Sequence, residues 1–305
     1  MRFRHPHARV TRQNKSKNGQ QERVVLPQSR WPRVLLLGDP AKPRVKELAE
    51  ELEEFLLEYA DVLGVEVARR VQPIQHKADL VVVLGGDGAL LATSHRMGRR
   101  QVPVMGINFG SVGFLAAVAP QRARAVLTQV LHGEGICENH TMMHASIRRD
   151  GKITMDTHIL NDVSILRAWG SAMVEVDLTV DRRPVCTYRG DGLIVSTSTG
   201  STAYSLAAGG PIMTPRVDAW VVTPVAPYML GMRPLVLPGE RTATLTVRGH
   251  AGFTADGHEE YHLQPGDKIR VAPSNRRFRL VVDSQANFFE RLRSKLHWAE
   301  PPGPG

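Results

Sequence analysis

Apolar residues follow two different rhythms along this chain. Up to about residue 137, short uninterrupted runs alternate with stretches in which apolar positions recur every three or four residues. Arg33 to Gly38 (RVLLLG) is a compact apolar run ending in Gly, the pattern of a buried strand. Lys42 to Leu63 places Leu48, Leu52, Phe55, Leu56, Tyr59 and Leu63 on one face and many glutamates on the other, which predicts a helix over the whole segment. Asp79 to Leu84 and Val102 to Ile107 read as further strands, and Ala89 to Ser94 and Ala119 to His132 as further helices. Strands separated by helices imply a parallel sheet with ligands at the carboxyl ends of its strands. From about residue 140 the rhythm changes. Met173 to Val180, Thr242 to Val247 and Lys268 to Val271 are short strands bounded by Gly, Pro and Asp turns. Phe288 to Trp298 returns to helical spacing through Phe289, Leu292 and Leu296. The predicted organisation is a tail over 1–30, an α/β domain over 31–137 with a Rossmann-like parallel sheet, and a β-rich domain over 138–282. The C-terminal helix of 283–305 is expected to pack back on the first domain.

Composition adds limits to this layout. Among 305 residues, 42% are hydrophobic and 23% charged, the balance of a soluble globular protein. The most apolar segment, Trp220 to Leu230, is broken by Pro224 and Pro227, so no membrane span or stable membrane association is expected. The start, MRFRHPHARV, lacks the apolar centre of a signal peptide. The net charge of +9 is concentrated in the tail, where eight Arg and Lys residues stand against Glu22 alone, leaving 31 basic and 29 acidic residues elsewhere. The basicity therefore belongs to a tail read as disordered rather than to a folded face for nucleic acid, with a functional basic arm or a transit peptide as the alternatives. Cys137 and Cys186 show neither metal-ligand spacing nor a disulfide framework, and read as free thiols in a reducing cytoplasm.

Two loops carry candidate chemistry. Gly85-Gly86-Asp87-Gly88 is either a tight turn or a phosphate site. Its place between an apolar strand and a helix favours phosphate, because helix-start amides and the helix dipole attract anions and glycine lets the phosphate approach the backbone. Gly190 to Gly210 runs through Asp191, Ser201, Thr202, Ala203 and Tyr204. It parses as strand, hydroxyl-rich turn and short helix, with Ser201 or Thr202 near the N-cap and Gly209-Gly210 as the stop. Hydroxyls and amides crowded at a helix start suit a nucleotide, and Tyr204 offers an aromatic surface.

These motifs, with Gly106-Ile-Asn-Phe-Gly-Ser-Val-Gly-Phe-Leu115, Leu160-Asn-Asp162, Arg233-Pro-Leu-Val236, Asp256-Gly257 and Leu292 to Trp298, make the chain resemble a bacterial-type NAD kinase from about Arg33 to Trp298. The Gly-Gly-Asp-Gly loop alone is shared with diacylglycerol kinases and phosphofructokinases; Ser-Thr-Gly-Ser-Thr-Ala-Tyr204 is far more specific. The resemblance implies a two-domain enzyme that moves a phosphoryl group from ATP, or polyphosphate, to the 2′-hydroxyl of the adenosine ribose of NAD. It implies magnesium or another divalent cation with no metal ligand identified, a homodimer or homotetramer, and a cytoplasmic setting. By the same resemblance Asp87 is catalytic and Gly85, Gly86 and Gly88 hold ATP phosphates. Asn108, Phe109, Asn161, Asp162, Asp191, Ser201, Thr202, Ala203 and Tyr204 fall at NAD-binding positions. Asp162 stands where the family carries a longer Glu, and Asp191 matches an aspartate that reaches the nicotinamide end, in some cases from a neighbouring subunit. A lipid kinase of the same superfamily and a non-catalytic dinucleotide-binding regulator are the competing readings.

Overall fold

The apolar runs of the first third pair in parallel, and their alternating side chains divide between two layers of helix. The computed structural model describes residues 21–67, 72–110, 113–116, 118–168 and 172–298. Its elements begin with β1 (Gln21–Arg23), β2 (Arg33–Gly38), α1 (Pro43–Leu56), β3 (Asp61–Val67), β4 (Leu80–Leu84), α2 (Asp87–Met97), β5 (Val104–Ile107) and α3 (Ala123–Leu131). They continue with β6 (Ile136–Arg149), β7 (Lys152–Ile159), β8 (Asp162–Arg167), β9 (Val174–Val180), β10 (Arg183–Thr197), α4 (Tyr204–Ala207), β11 (Ala219–Pro227) and β12 (Leu235–Pro238). The last are β13 (Ala243–Val247), β14 (Ala251–Ala255), β15 (Glu259–Leu263), β16 (Lys268–Val282) and α5 (Phe288–Leu296).

Strands β5, β4, β2 and β3 lie side by side in parallel. Val34, Leu36, Leu80 and Val82 pack with Leu52 and Leu56 of α1 and Leu127 of α3. The alternate residues Leu35, Leu37, Val81 and Val83 pack with Leu90 and Leu91 of α2. Burying such a side chain contributes roughly 1.5–3 kcal/mol, so the period-two split fixes which helix lies on which face.

The single helix predicted over Lys42 to Leu63 is corrected. Helix α1 ends at Leu56, and Asp61–Val67 is the edge strand β3, parallel to β2. Helical spacing persists in Tyr59 and Leu63, but Gly64 has φ 117, outside any helix, and the β2–β3 register shifts opposite it, as at a bulge. Pairing with β2 overrides the local periodicity.

The second region is antiparallel, with its core built on residues such as Ile165, Val195, Val222, Phe253 and Ile269. It is continuous with the first: Leu280 and Val281 of β16 pair in parallel with Val104 and Met105 of β5, while β6 runs antiparallel along β16 from Arg148 to Ile136. The change from parallel to antiparallel pairing thus falls on the long strand β16, which pairs parallel with β5 and antiparallel with β6 and β13. Regular structure also starts before residue 31. Strand β1 pairs with β6, Val24 is buried, and Glu22, the tail's lone acid, meets Arg279 at 2.8 Å. The rest of the predicted basic tail, 1–20, lies outside the described residues. At the other end, α5 lies against the first region through Phe288 and Phe114, whose ring centroids are 6.3 Å apart.

Candidate active site

Strand β4 ends at Leu84, and Gly85 turns the chain into α2. The Gly85 amide donates to Ile107 O at 2.8 Å, tying this turn to the end of β5. Gly86 is the N-cap, without a side-chain cap, and Asp87 and Gly88 open the helix. First-turn amides have no partner within a helix, which leaves donors at this end.

The Asp87 carboxylate is held from the neighbouring loop. Oδ2 accepts from the Phe114 amide at 2.9 Å, and Oδ1 from the Leu115 and Ala116 amides at 3.2 and 2.8 Å. A carboxylate offers about four acceptor positions, so three amides leave one, on Oδ2, for a hydroxyl. The approach is so close that a Cβ on Gly113 would overlap the carboxylate, which is why that position takes Gly. Asn108, at the end of β5, accepts from the Gly110 amide at 3.2 Å, and the Phe109 ring lies under the Arg44 guanidinium at 6.0 Å.

A second aspartate organises the other half. The Asp256 side chain has no exposure and accepts from the Leu160, Asn161 and Asp162 amides at 2.8, 2.7 and 3.1 Å. Its Oδ2 also meets His95 Nε2 at 2.8 Å, so α2 is tied to the antiparallel region near its C-terminal end as well as to the loop at its start. Burial, and secondarily the Asp256 charge, push the Asp162 carboxyl up to about 7. The Asn161 side-chain oxygen is buried without a hydrogen-bond partner. Its backbone lies so near Gly200 that a Cβ there would overlap the Asn161 carbonyl.

In the hydroxyl-rich turn the expected cap is not made. Helix α4 is four residues long and begins after Ala203, with no side-chain cap, while Gly200–Thr202 is a short 3₁₀ turn. Ser201 is fully buried. Its hydroxyl donates to Ser198 O at 2.7 Å and accepts from the Met213 amide at 2.9 Å, so it closes the loop rather than facing a ligand. Thr202 donates to Thr199 O at 3.2 Å, and Tyr204 is exposed. Gly209, with φ 83, follows the helix as the expected stop.

The loop that holds Asp87 and the hydroxyl-rich turn meet in a narrow cleft of about 10 Å³, lined by Phe114, Leu115, His140, Thr199, Thr202 and Phe288, among others. The contributing parts are the loop that holds Asp87, β6, the turn after β10, the segment at Met213 and Pro215, and α5. Asp191 does not join them. It pairs with Arg167 at 2.9 Å, five residues along β10 from Ser196, which pairs with Asp162. At roughly 3.4 Å per residue that is about 17 Å along the strand. Gly113, Gly200 and Asp256 sat inside quoted motifs without a role; His140 and Arg291, at isolated positions, gave no signal in the sequence.

Among the described residues no helix is long and apolar enough to cross a membrane. Residues 65–135 match the model of the ATP-NAD kinase N-terminal domain, and residues 160–282 that of the ATP-NAD kinase C-terminal domain. The chain is 36% identical to the NAD kinase of Ectopseudomonas mendocina over 285 residues, 88% of this chain and 96% of that one. It is 36% identical to the NAD kinase of Geotalea daltonii over 271 residues, 85% of this chain and 95% of that one. Yeast NADH kinase complexed with NADH superposes with a TM-score of 0.82 at 25% identity, covering 91% of each chain. An NAD kinase from Archaeoglobus fulgidus in complex with ATP gives 0.71 at 27% identity, covering 86% of this chain and 99% of that one.

Proposed function

The chain belongs to the NAD kinase family, and from that premise we propose that it transfers the γ-phosphoryl group of ATP to the 2′-hydroxyl of the adenosine ribose of NAD, with Asp87 orienting that hydroxyl. It is a phosphotransferase; neither the lipid-kinase nor the regulator reading is favoured by its relatives. The observation that carries the role of Asp87 is its carboxylate, fixed by three loop amides at the start of α2 with one acceptor position left on Oδ2. Phosphoryl transfer asks a protein mainly for alignment and charge stabilisation, and a carboxylate that cannot swing supplies alignment. Phosphate oxygens then lie on the first-turn amides of Gly86 to Gly88.

Among the described residues no group of three or more His, Cys, Asp or Glu is placed to hold a metal ion. Magnesium is proposed to enter with the substrate as MgATP, since it keeps several waters and takes one or two carboxylates beside the phosphates. Asn161, Asp162, Thr202, Ala203 and Tyr204 are proposed to line the adenosine half of NAD. Asp191 would serve the nicotinamide end across a subunit contact in a cytoplasmic homodimer or homotetramer.

The test is NADP formation from NAD, ATP and magnesium by the purified protein, with Asp87→Asn beside it. Orienting or accepting a proton is typically worth about 10²–10⁴-fold, and a loss of that order is expected. Asn has one acceptor oxygen and an NH₂ group facing the loop amides, so circular dichroism and melting accompany the assay. Near-wild-type turnover by folded Asp87→Asn would remove Asp87 from the reaction.

A further inference from the structure

Helix α5 brings a cation to this site. Arg291 is largely buried, and its Nε and Nη1 have no hydrogen-bond partner. Phe288, one turn earlier on the same face, lines the cleft and packs on Phe114, whose amide holds Asp87. Leu292 is buried beside it, so the helix cannot easily roll to release the guanidinium. Burial pulls the guanidinium down, opposed by two neighbouring carboxylates, Glu138 and then Asp87. Asp87 is held by three amides, and Glu138 bonds the Gln21 side-chain amide at 2.7 Å and Arg216 at 3.5 Å. Among the described residues neither forms an ion pair with Arg291. His140, on the same face of β6 as Glu138, is also buried in the cleft wall, with Nδ1 on Thr199 Oγ1 at 2.9 Å and Nε2 unpartnered. Burial pushes this imidazole down to about 4, so it is neutral at pH 7 and does not compete for an anion.

A buried guanidinium with up to three N–H bonds unmade destabilises the free protein unless an anion satisfies it. Such a group persists where function uses it. We propose that Arg291 is a catalytic residue that binds the transferring phosphoryl group, donating from Nε and Nη1 to its non-bridging oxygens opposite the first turn of α2. This rests on the NAD kinase reading above. The 2′-oxygen forms the new bond to the γ-phosphorus, the bond from that phosphorus to the β,γ-bridging oxygen breaks, and ADP leaves with its electron pair. The hydroxyl proton passes by way of Asp87 to water, and Arg291 offsets the charge on the oxygens of the moving group.

The experiment compares R291A, R291K and R293A, the last removing an equal charge from an exposed position on the same helix. For R291A, kcat/KM for MgATP is expected to fall by about a thousandfold or more, the range seen for arginines on a transferring phosphoryl group. NAD binding, measured by calorimetry without ATP, stays within twofold, and the melting temperature holds or rises. R291K recovers part of the rate, methylguanidine in solution restores part of it to R291A, and R293A matches the wild type. Kinetics for R291A within threefold of wild type would overturn the proposal. So would a rate loss that tracks a lower melting temperature and resists methylguanidine, since that marks a structural residue. Should R291A not fold, a folded R291K with undiminished kcat/KM for MgATP overturns it equally. An inactive wild type would instead point to failure of the NAD kinase reading itself.

Discussion

Asp162 gives the most quantitative handle on this site. Its carboxyl is buried and faces the Asp256 charge, which holds its proton to about pH 7 against an ordinary 3.8. Between about pH 4 and pH 7 the folded protein keeps a proton that the unfolded chain has released. Stability from this group is therefore present at low pH, falls as pH rises through that window, and stays reduced above it. The window spans about three pH units, and at 1.36 kcal/mol per unit the upper limit is about 4 kcal/mol. Asp162→Asn keeps the shape and removes the ionisation. It should match the wild type near pH 4 and be more stable at pH 8 by as much as about 4 kcal/mol. For a chain of this size, with an unfolding entropy of roughly 2.1 cal/mol/K per residue, that is about 6 °C in melting temperature. Ligand-free thermal melts of both proteins from pH 4 to 8.5 provide the measurement. Parallel profiles, with the two proteins equally separated at every pH, would show that Asp162 ionises freely in the fold and would refute the argument.

Two further outcomes follow from the geometry. Gly113→Ala sets a methyl against the Asp87 carboxylate, so the three amide bonds cannot all survive. At roughly 1.5–3 kcal/mol for a bond to a charged group, a loss of about 3 kcal/mol or more in urea unfolding is expected, with turnover falling toward that of Asp87→Asn; unchanged stability and rate would show that Asp87 does not need this loop. Asp191→Ala removes only an exposed pair with Arg167, worth about 0–1 kcal/mol, so melting should barely move. Its KM for NAD should rise well beyond its KM for ATP; equal changes in both would take Asp191 out of the NAD site.

The sequence determined the elements whose reasons are local. Uninterrupted apolar, β-branched runs such as Leu80–Leu84 read as strands buried on both faces, and the Gly-Gly-Asp-Gly loop after that strand opens a helix. The family motifs located Asp87 and the hydroxyl-rich turn, because chemistry at a strand end needs particular residues at fixed spacing. Local pattern failed where long-range pairing decided. Asp61–Val67 carries helical spacing yet completes a parallel edge, and Gln21–Arg23 carries tail composition yet finds β6. Hydroxyl side chains at the turn after β10 predicted a cap, but burial gave the Ser201 hydroxyl to Met213 instead. Only tertiary structure could show that Asp87 is gripped by amides 27 to 29 residues away, that Asp256 clasps residues nearly a hundred positions earlier, and that the last helix buries Arg291 where the Asp87 charge acts on it. Those contacts depend on which faces the sheet buries and where the chain returns, quantities set by packing of the whole molecule and by no local window of residues.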